Sequence, residues 1–165
     1  MREGVGTLHF ATGDRYVGLW VAGKMEGQGT FHFATGDRYE GEYVAGHMEG
    51  QGTMHYAGGN RYEGEFVADK MAGQGTMHFA DGDRYEGEFV ADQMEGQGTY
   101  HFANGEVAVS CFKGGAPVVG EGVMWSAERA TAWRVASGGV KGEPISLEEA
   151  ARIAERVGVP VPGAS

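Results

Sequence analysis

The chain has 165 residues, 31 of them glycine and 4 proline, with a formal net charge of −10. All of that charge sits in residues 1–112, while residues 113–165 carry six basic and six acidic side chains and balance. An acidic array repels phosphate backbones and excludes nucleic acid as the main partner, and the single Cys111 excludes an internal disulfide framework.

The opening MREGVGTLHF lacks the apolar stretch of a secretion signal, and no run approaches the ~20 apolar residues of a membrane span. A soluble cytoplasmic protein is the expectation. A G-x-G pair then recurs every 23 residues, at Gly4/Gly6, Gly27/Gly29, Gly50/Gly52, Gly73/Gly75 and Gly96/Gly98, and one residue late at Gly120/Gly122. Self-similarity at a fixed period is the mark of stacked repeats.

Each repeat predicts two strands around a glycine turn, as in GTFHFA (Gly29–Ala34) and RYEGEYV (Arg38–Val44). Alternation puts Tyr39, Gly41 and Tyr43 on one face and Arg38, Glu40, Glu42 and Val44 on the other. The register that best sorts polarity sets Phe33 beside Tyr39 and His32 beside Glu40. Columns of rings follow: Phe10, Phe33, Tyr56, Phe79, Phe102; Tyr16, Tyr39, Tyr62, Tyr85; and Trp20, Tyr43, Phe66, Phe89, Phe112. Gly18, Gly41, Gly64 and Gly87 lie between the last two, so rings are expected to cover bare backbone of the neighbouring repeat. Met25, Met48, Met71 and Met94 are placed in the loops between hairpins, where adaptable side chains can pack or meet a partner.

The fifth repeat departs from the pattern, with Ala108 at the tyrosine position and Ser110 at the glycine position. GEGVMWSAERATAWRV (Gly120–Val135) predicts an altered sixth hairpin. A helix follows: Ser146 and Glu149 form a capping box, Gly158 a C-terminal cap, and Pro160 a stop. Its expected apolar stripe is Leu147, Ala150, Ala151, Ala154 and Val157. The organisation read from this is five hairpin repeats over 4–113, a degenerate sixth over 114–145, and a capping helix over 146–158.

YEGEYVAGHMEGQGTMHYAGG resembles a MORN repeat (membrane occupation and recognition nexus), whose pattern is approximately Y-x-G-x-W/F, a basic loop, then G-x-G and an aromatic strand before a glycine turn. The likeness covers about Gly4 to Lys113. It implies an all-β repeat fold, a single-layer, curled antiparallel sheet of stacked 23-residue β-hairpins with aromatics inside, closed here by the short C-terminal α-helix. It also implies interaction work: dimerisation, scaffolding at cytoskeletal or membrane-linked complexes, and service as accessory arrays on phosphoinositide kinases and lysine methyltransferases. No catalytic residue belongs to the repeat. One departure is plain. The usually basic segments read VAGKMEGQG, VAGHMEGQG, VADKMAGQG and VADQMEGQG, and with each Lys or Arg near an anionic surface worth roughly 1 kcal/mol, their loss disfavours lipid.

His9, His32, His55, His78 and His101 form a column, but successive members stand roughly 9–10 Å apart, too far to share a zinc with ligands at ~2.0–2.3 Å. A solvated, mildly pH-sensitive row is the expectation, with no metal and no cofactor. Cys111 lacks a basic neighbour in sequence and is not read as a nucleophile. The outward positions are more informative: one reads Val17, Glu40, Glu63, Glu86, Val109 and the next Leu19, Glu42, Glu65, Glu88, Cys111. The helix can cover Val107, Val109 and Cys111, whereas Val17, Leu19 and Val21 have no such cover in sequence. Those three form either a surface for a partner or second copy, or a cap shielded by edge residues. The leading reading is a non-catalytic interaction scaffold in the cytoplasm, at the periphery of a membrane or the cytoskeleton. It presents Glu40, Glu42, Glu63, Glu65, Glu86 and Glu88 to a basic or amphipathic protein segment. The alternative is a regulatory module that binds phosphoinositides or phosphatidic acid, or that associates with a phosphoinositide kinase.

Overall fold

The structure, a computed structural model, describes residues 1–163. Those residues form thirteen strands and one short helix, an all-β repeat fold in which the strands of each unit pair antiparallel in chain order. Contacts divide the chain into two units, Met1–Ala80 and Asp81–Ser165.

The first unit holds β1 (Gly4–His9), β2 (Arg15–Val21), β3 (Lys24–His32), β4 (Arg38–Val44), β5 (His47–His55), β6 (Arg61–Val67) and β7 (Lys70–His78). Repeats join through two-residue turns, Ala22-Gly23, Ala45-Gly46 and Ala68-Asp69, with both central residues at positive φ. That is the conformation whose twist matches paired strands. The strands after these turns therefore begin earlier than expected. Met25, Met48 and Met71 are strand residues rather than loop residues, set across from Trp20, Tyr43 and Phe66; Met48 and Met71 are buried.

The expected register is also corrected. Phe31 faces Tyr39, Thr30 faces Glu40, and His32 faces Arg38. Strand β3 ends at His32 because Phe33 is taken into the turn. Its N–H donates to the Asp37 carbonyl at 3.0 Å, and Gly36 N–H donates back to the Phe33 carbonyl at 3.0 Å. Phe33 still touches the aromatic face, its ring centroid 4.6 Å from that of Phe31.

The tyrosine column organises each repeat. Tyr16, Tyr39 and Tyr62 are fully buried, and each ring lies over the glycine two residues on and over a glycine of the next strand: Gly18 and Gly29, Gly41 and Gly52, Gly64 and Gly75. Gly18, Gly41 and Gly64 are thus covered by the tyrosine of their own strand rather than by a ring of the neighbouring repeat, and the glycine covered on the next strand is the second of each G-x-G pair. The hydroxyls donate to the carbonyls of Leu19, Glu42 and Glu65 at 3.2, 3.1 and 3.0 Å, so the donors of this column are satisfied, whereas the buried Tyr43 hydroxyl has no hydrogen-bond partner among the described residues. Edge-to-face pairs link Tyr39 to Tyr43 at 5.3 Å and to Phe66 of the next repeat at 4.9 Å. Burial of such a ring is worth about 2–3 kcal/mol by area, with ~0.5–1.5 kcal/mol more per aromatic pair. The two glycines of G-x-G differ in role. Gly50 (φ +64) sits in the bulge between the Gly41–Gly52 and Tyr43–Met48 pairs, and Gly52 is the one under the ring.

The second unit continues with β8 (Arg84–Val90), β9 (Gln93–His101), β10 (Val107–Lys113), β11 (Ala116–Trp125), β12 (Ala132–Val135), β13 (Lys141–Ile145) and α1 (Leu147–Val157). Strand β13 was not anticipated from sequence; it pairs with β12 and carries Pro144, which a strand with one paired edge tolerates. Ser146 accepts from Glu149 N–H, and Gly158 closes the helix at φ +81. The buried face of α1 is Ala150, Ile153, Ala154 and Val157, packed on Val109, Val123, Trp125 and Ala132 with Cys111 beside them. Leu147 is exposed and Ala151 only half-buried. The stripe is rotated from the expected one because Ile153, at i+3 from Ala150, supplies the bulk that Leu147 was expected to supply.

A methyl group at Gly52 would stand 2.5 and 2.6 Å from Cε2 and Cζ of Tyr39. Gly52→Ala should therefore cost about 1–3 kcal/mol, the usual range for overpacking, measured by urea unfolding. In a Tyr39→Leu background most of that cost should vanish; equal costs in both backgrounds would show that the ring is not what excludes the methyl.

Candidate interaction surface

On the face opposite the tyrosines, cross-strand register sets histidines against arginines. His32 pairs with Arg15 and Arg38, His55 with Arg38 and Arg61, and His78 with Arg61; in the second unit His101 pairs with Arg84. Sequence spacing exposed the histidine column but missed the arginines between its members, because they belong to the other strand of each hairpin. The carboxylates reach into this row. Arg38 Nε lies 2.9 Å from Glu40 Oε1, Arg61 Nε 2.8 Å from Glu63, and Arg84 Nε 2.8 Å from Glu86, while His101 Nε2 is 3.5 Å from Glu86.

The two expected glutamate rows therefore behave differently. Glu40, Glu63 and Glu86 are exposed but salt-bridged to the preceding arginine. Glu42, Glu65 and Glu88 are half-buried, with carboxylates folded over the bulge glycines Gly50, Gly73 and Gly96. Other side chains, most of them acidic, knit repeats together. Glu3, Glu26 and Glu49 accept the N–H of Ala22, Ala45 and Ala68 at 3.0, 2.9 and 3.0 Å. Asp14, Asp37 and Asn60 accept those of Ala34, Ala57 and Ala80 at 2.7, 2.8 and 2.9 Å. Much of the negative charge is thus engaged with backbone donors of the following repeat.

Val17, Leu19 and Val21 lie on one face of β2. Val17 and Leu19 are half-buried, and Leu19 packs toward the bulge at Gly27. Val21 is 45% exposed, and it is not special to the first repeat: Val44 and Val67 stand at the same position, 52% and 55% exposed. The cross-strand partners of these valines are Lys24, His47 and Lys70. On β1, Val5 is set opposite Leu19 and is 83% exposed. Sequence reading missed Val5, and the repeated valine was legible as an invariant position but was not singled out. The structure brings Val5, Val17, Leu19 and Val21 together on β1 and β2, while Val44 and Val67 recur on the alternate strands β4 and β6, with His47 and Lys70 as their cross-strand partners.

In the second unit, burial pushes the Cys111 thiol up, and nearby Glu121 and Glu88 add to the shift, so the thiolate is disfavoured. No group of three or more His, Cys, Asp or Glu side chains suited to a metal ion occurs among the described residues.

The family model for the MORN repeat matches five consecutive segments, residues 1–15, 16–38, 39–61, 62–84 and 85–107. No curated protein matches the sequence. Among solved structures, the TCP domain of SAS-4 (dCPAP) of Drosophila melanogaster, in complex with a proline-rich motif of Ana2 (dSTIL), is similar at 12% identity and a TM-score of 0.45, over 86% of this chain and 89% of that one.

Depressed histidine pKa values give this surface an expected pH dependence of definite sign. Burial lowers the His32 pKa, helped by Arg15 and Arg38 and opposed by Glu40; burial and Arg84 do the same at His101, against Glu86. A histidine whose folded pKa is depressed contributes stability above its unfolded value near 6.5, and loses it as pH falls through the folded value. Asp14, lowered by its Thr12 and Ala34 hydrogen bonds, contributes above 3.8 and loses that below. The urea midpoint should decline from pH 7 to 5 and again below pH 4, and His101→Gln should flatten the first decline. A midpoint constant from pH 7 to 5 would contradict this account.

Proposed function

The chain belongs to the MORN-repeat family, and we propose that it is a protein-interaction scaffold whose first unit docks a basic, amphipathic segment of a protein partner across Val17, Leu19, Val21, Val44 and Val67. The observation that carries this reading is the exposed valine repeated at one position per hairpin, beside glutamates on the same face (Glu40, Glu42, Glu63, Glu65). Exposed valines recurring on alternate strands, with carboxylates on the same face, suit a segment with an apolar stripe and basic shoulders. The second unit repeats the motif in Glu86, Glu88 and Val90. The setting proposed is the cytoplasm, at the edge of a membrane or of the cytoskeleton.

Direct adsorption to anionic lipid is the weaker reading, because Arg38, Arg61 and Arg84 each already lie within 3 Å of a glutamate. The repeat supplies positions for binding rather than a cleft with an acid, base and nucleophile in reach of one another, and the scaffold reading assigns it no reaction.

Val17→Glu with Leu19→Glu gives β2 the acidic residues that β4 and β6 already carry, so the variant should fold with an unchanged melting temperature. Proximity labelling in cells and gel filtration of the purified chain should show the wild-type partner signal, or self-association, cut at least tenfold in the variant. An unchanged signal removes the proposal. Flotation with vesicles containing phosphoinositide or phosphatidic acid at physiological salt should leave the protein unbound; binding that scales with anionic lipid would favour the lipid-binding alternative.

A further inference from the structure

In the second unit, Tyr85 repeats the arrangement of the tyrosine column. Its ring lies over Gly87 and Gly98, its hydroxyl donates to the Glu88 carbonyl at 3.2 Å, and it packs edge-on to Phe89 at 5.3 Å and Phe112 at 4.9 Å. One repeat later the ring is missing. Ala108 stands where the tyrosine would, facing Tyr100 and Met124 across the sheet. Ser110 stands where the glycine would, and its Oγ donates to the Cys111 carbonyl at 3.1 Å, the acceptor equivalent to that used by each tyrosine hydroxyl. The serine thus replaces the hydroxyl, but nothing in the sequence pattern replaces the ring.

A recess remains there, 210 Å³ in volume, bordered by Ala108, Ser110, Phe112, Tyr100, Phe102 and Val135. A dry apolar cavity of ~150 Å³ suffices to take up benzene, so this space accommodates an aromatic side chain. None of the side chains lining it is charged, but carboxylates lie at its rim. Asp83 accepts the Tyr100 hydroxyl at 3.0 Å, and Asp81 lies near enough to act on the same phenol. The surroundings suit a cation next to the inserted ring.

We propose that this recess is a binding slot for one tyrosine or phenylalanine side chain carried on a basic segment of a protein partner. The ring enters the recess beside Ser110, whose side chain stands where the glycine of the other repeats leaves room for their own tyrosine, and flanking lysine or arginine side chains meet Asp81 and Asp83. The slot lies in the second unit on the tyrosine face and is independent of the valine row proposed above.

The test uses the full chain and two blocked peptides, Lys-Lys-Tyr-Lys-Lys and Lys-Lys-Ala-Lys-Lys, followed by titration in NMR spectra. The tyrosine peptide should bind at least tenfold more tightly than the alanine peptide and should shift the ring resonances of Tyr100 and Phe112. Ala108→Tyr with Ser110→Gly restores the internal ring and should reduce the tyrosine peptide to the affinity of its alanine control. Equal affinity of the two peptides for the wild-type chain overturns the proposal whether or not the variant folds. So does binding that leaves Tyr100 and Phe112 unmoved, or a folded variant that still prefers the tyrosine peptide.

Discussion

Each repeat depends on a single close approach: a phenol ring pressed against main chain with no side chain between. The approach fixes three residues at once, because the ring needs a glycine beneath it on its own strand, a second across the ladder, and a carbonyl three residues on to take its proton. Remove any one and the others become liabilities, a buried hydroxyl without an acceptor or a strand glycine without cover. That mutual requirement explains why a chain so rich in glycine forms ordered strands, and why so few other positions need to stay constant.

The acidic character has a similar structural origin. Side chains of Glu26, Glu49, Asp14 and Asp37 serve as acceptors for backbone donors at the turns, while Glu40 and Glu63 balance arginines on the solvent face. The net charge of −10 already counts those arginines, and the carboxylates that accept backbone N–H groups keep their charge. Beside these carboxylates the surface offers apolar groups: the valines before each tight turn and the changed residues of β2.

The hairpin period, the tyrosine and glycine columns and the capping box at Ser146 were legible in sequence because each rests on short-range geometry repeated many times. The register was not, since the choice between Phe31 and Phe33 as the neighbour of Tyr39 depends on how many residues the turn consumes, and that is settled by the Phe33 to Asp37 hydrogen bond. The methionines were misplaced for a related reason: Ala45 and Ala68 conceal turns that demand positive φ, where glycine or asparagine would have announced them. At the candidate surface, the unusual residues Val17 and Leu19 drew the eye, while Val44 and Val67 were overlooked because a constant residue in a repeat reads as scaffold. Burial, not identity, marked them as exposed. The arginine and histidine row escaped because its members alternate between strands and only pairing makes them neighbours.

The hydrogen bonds between hairpins have a polarity. At Ala45, Ala57 and Ala68 the donor belongs to the later hairpin and the acceptor to the earlier one, and Gly46 N–H likewise reaches back to the Met25 carbonyl; Asp69, which accepts from Met48 N–H, runs the other way. A chain emerging from the ribosome N-terminus first thus offers each new hairpin a template whose carboxylates are already in place. Assembly during translation can proceed by accretion, one hairpin at a time, without waiting for distant sequence.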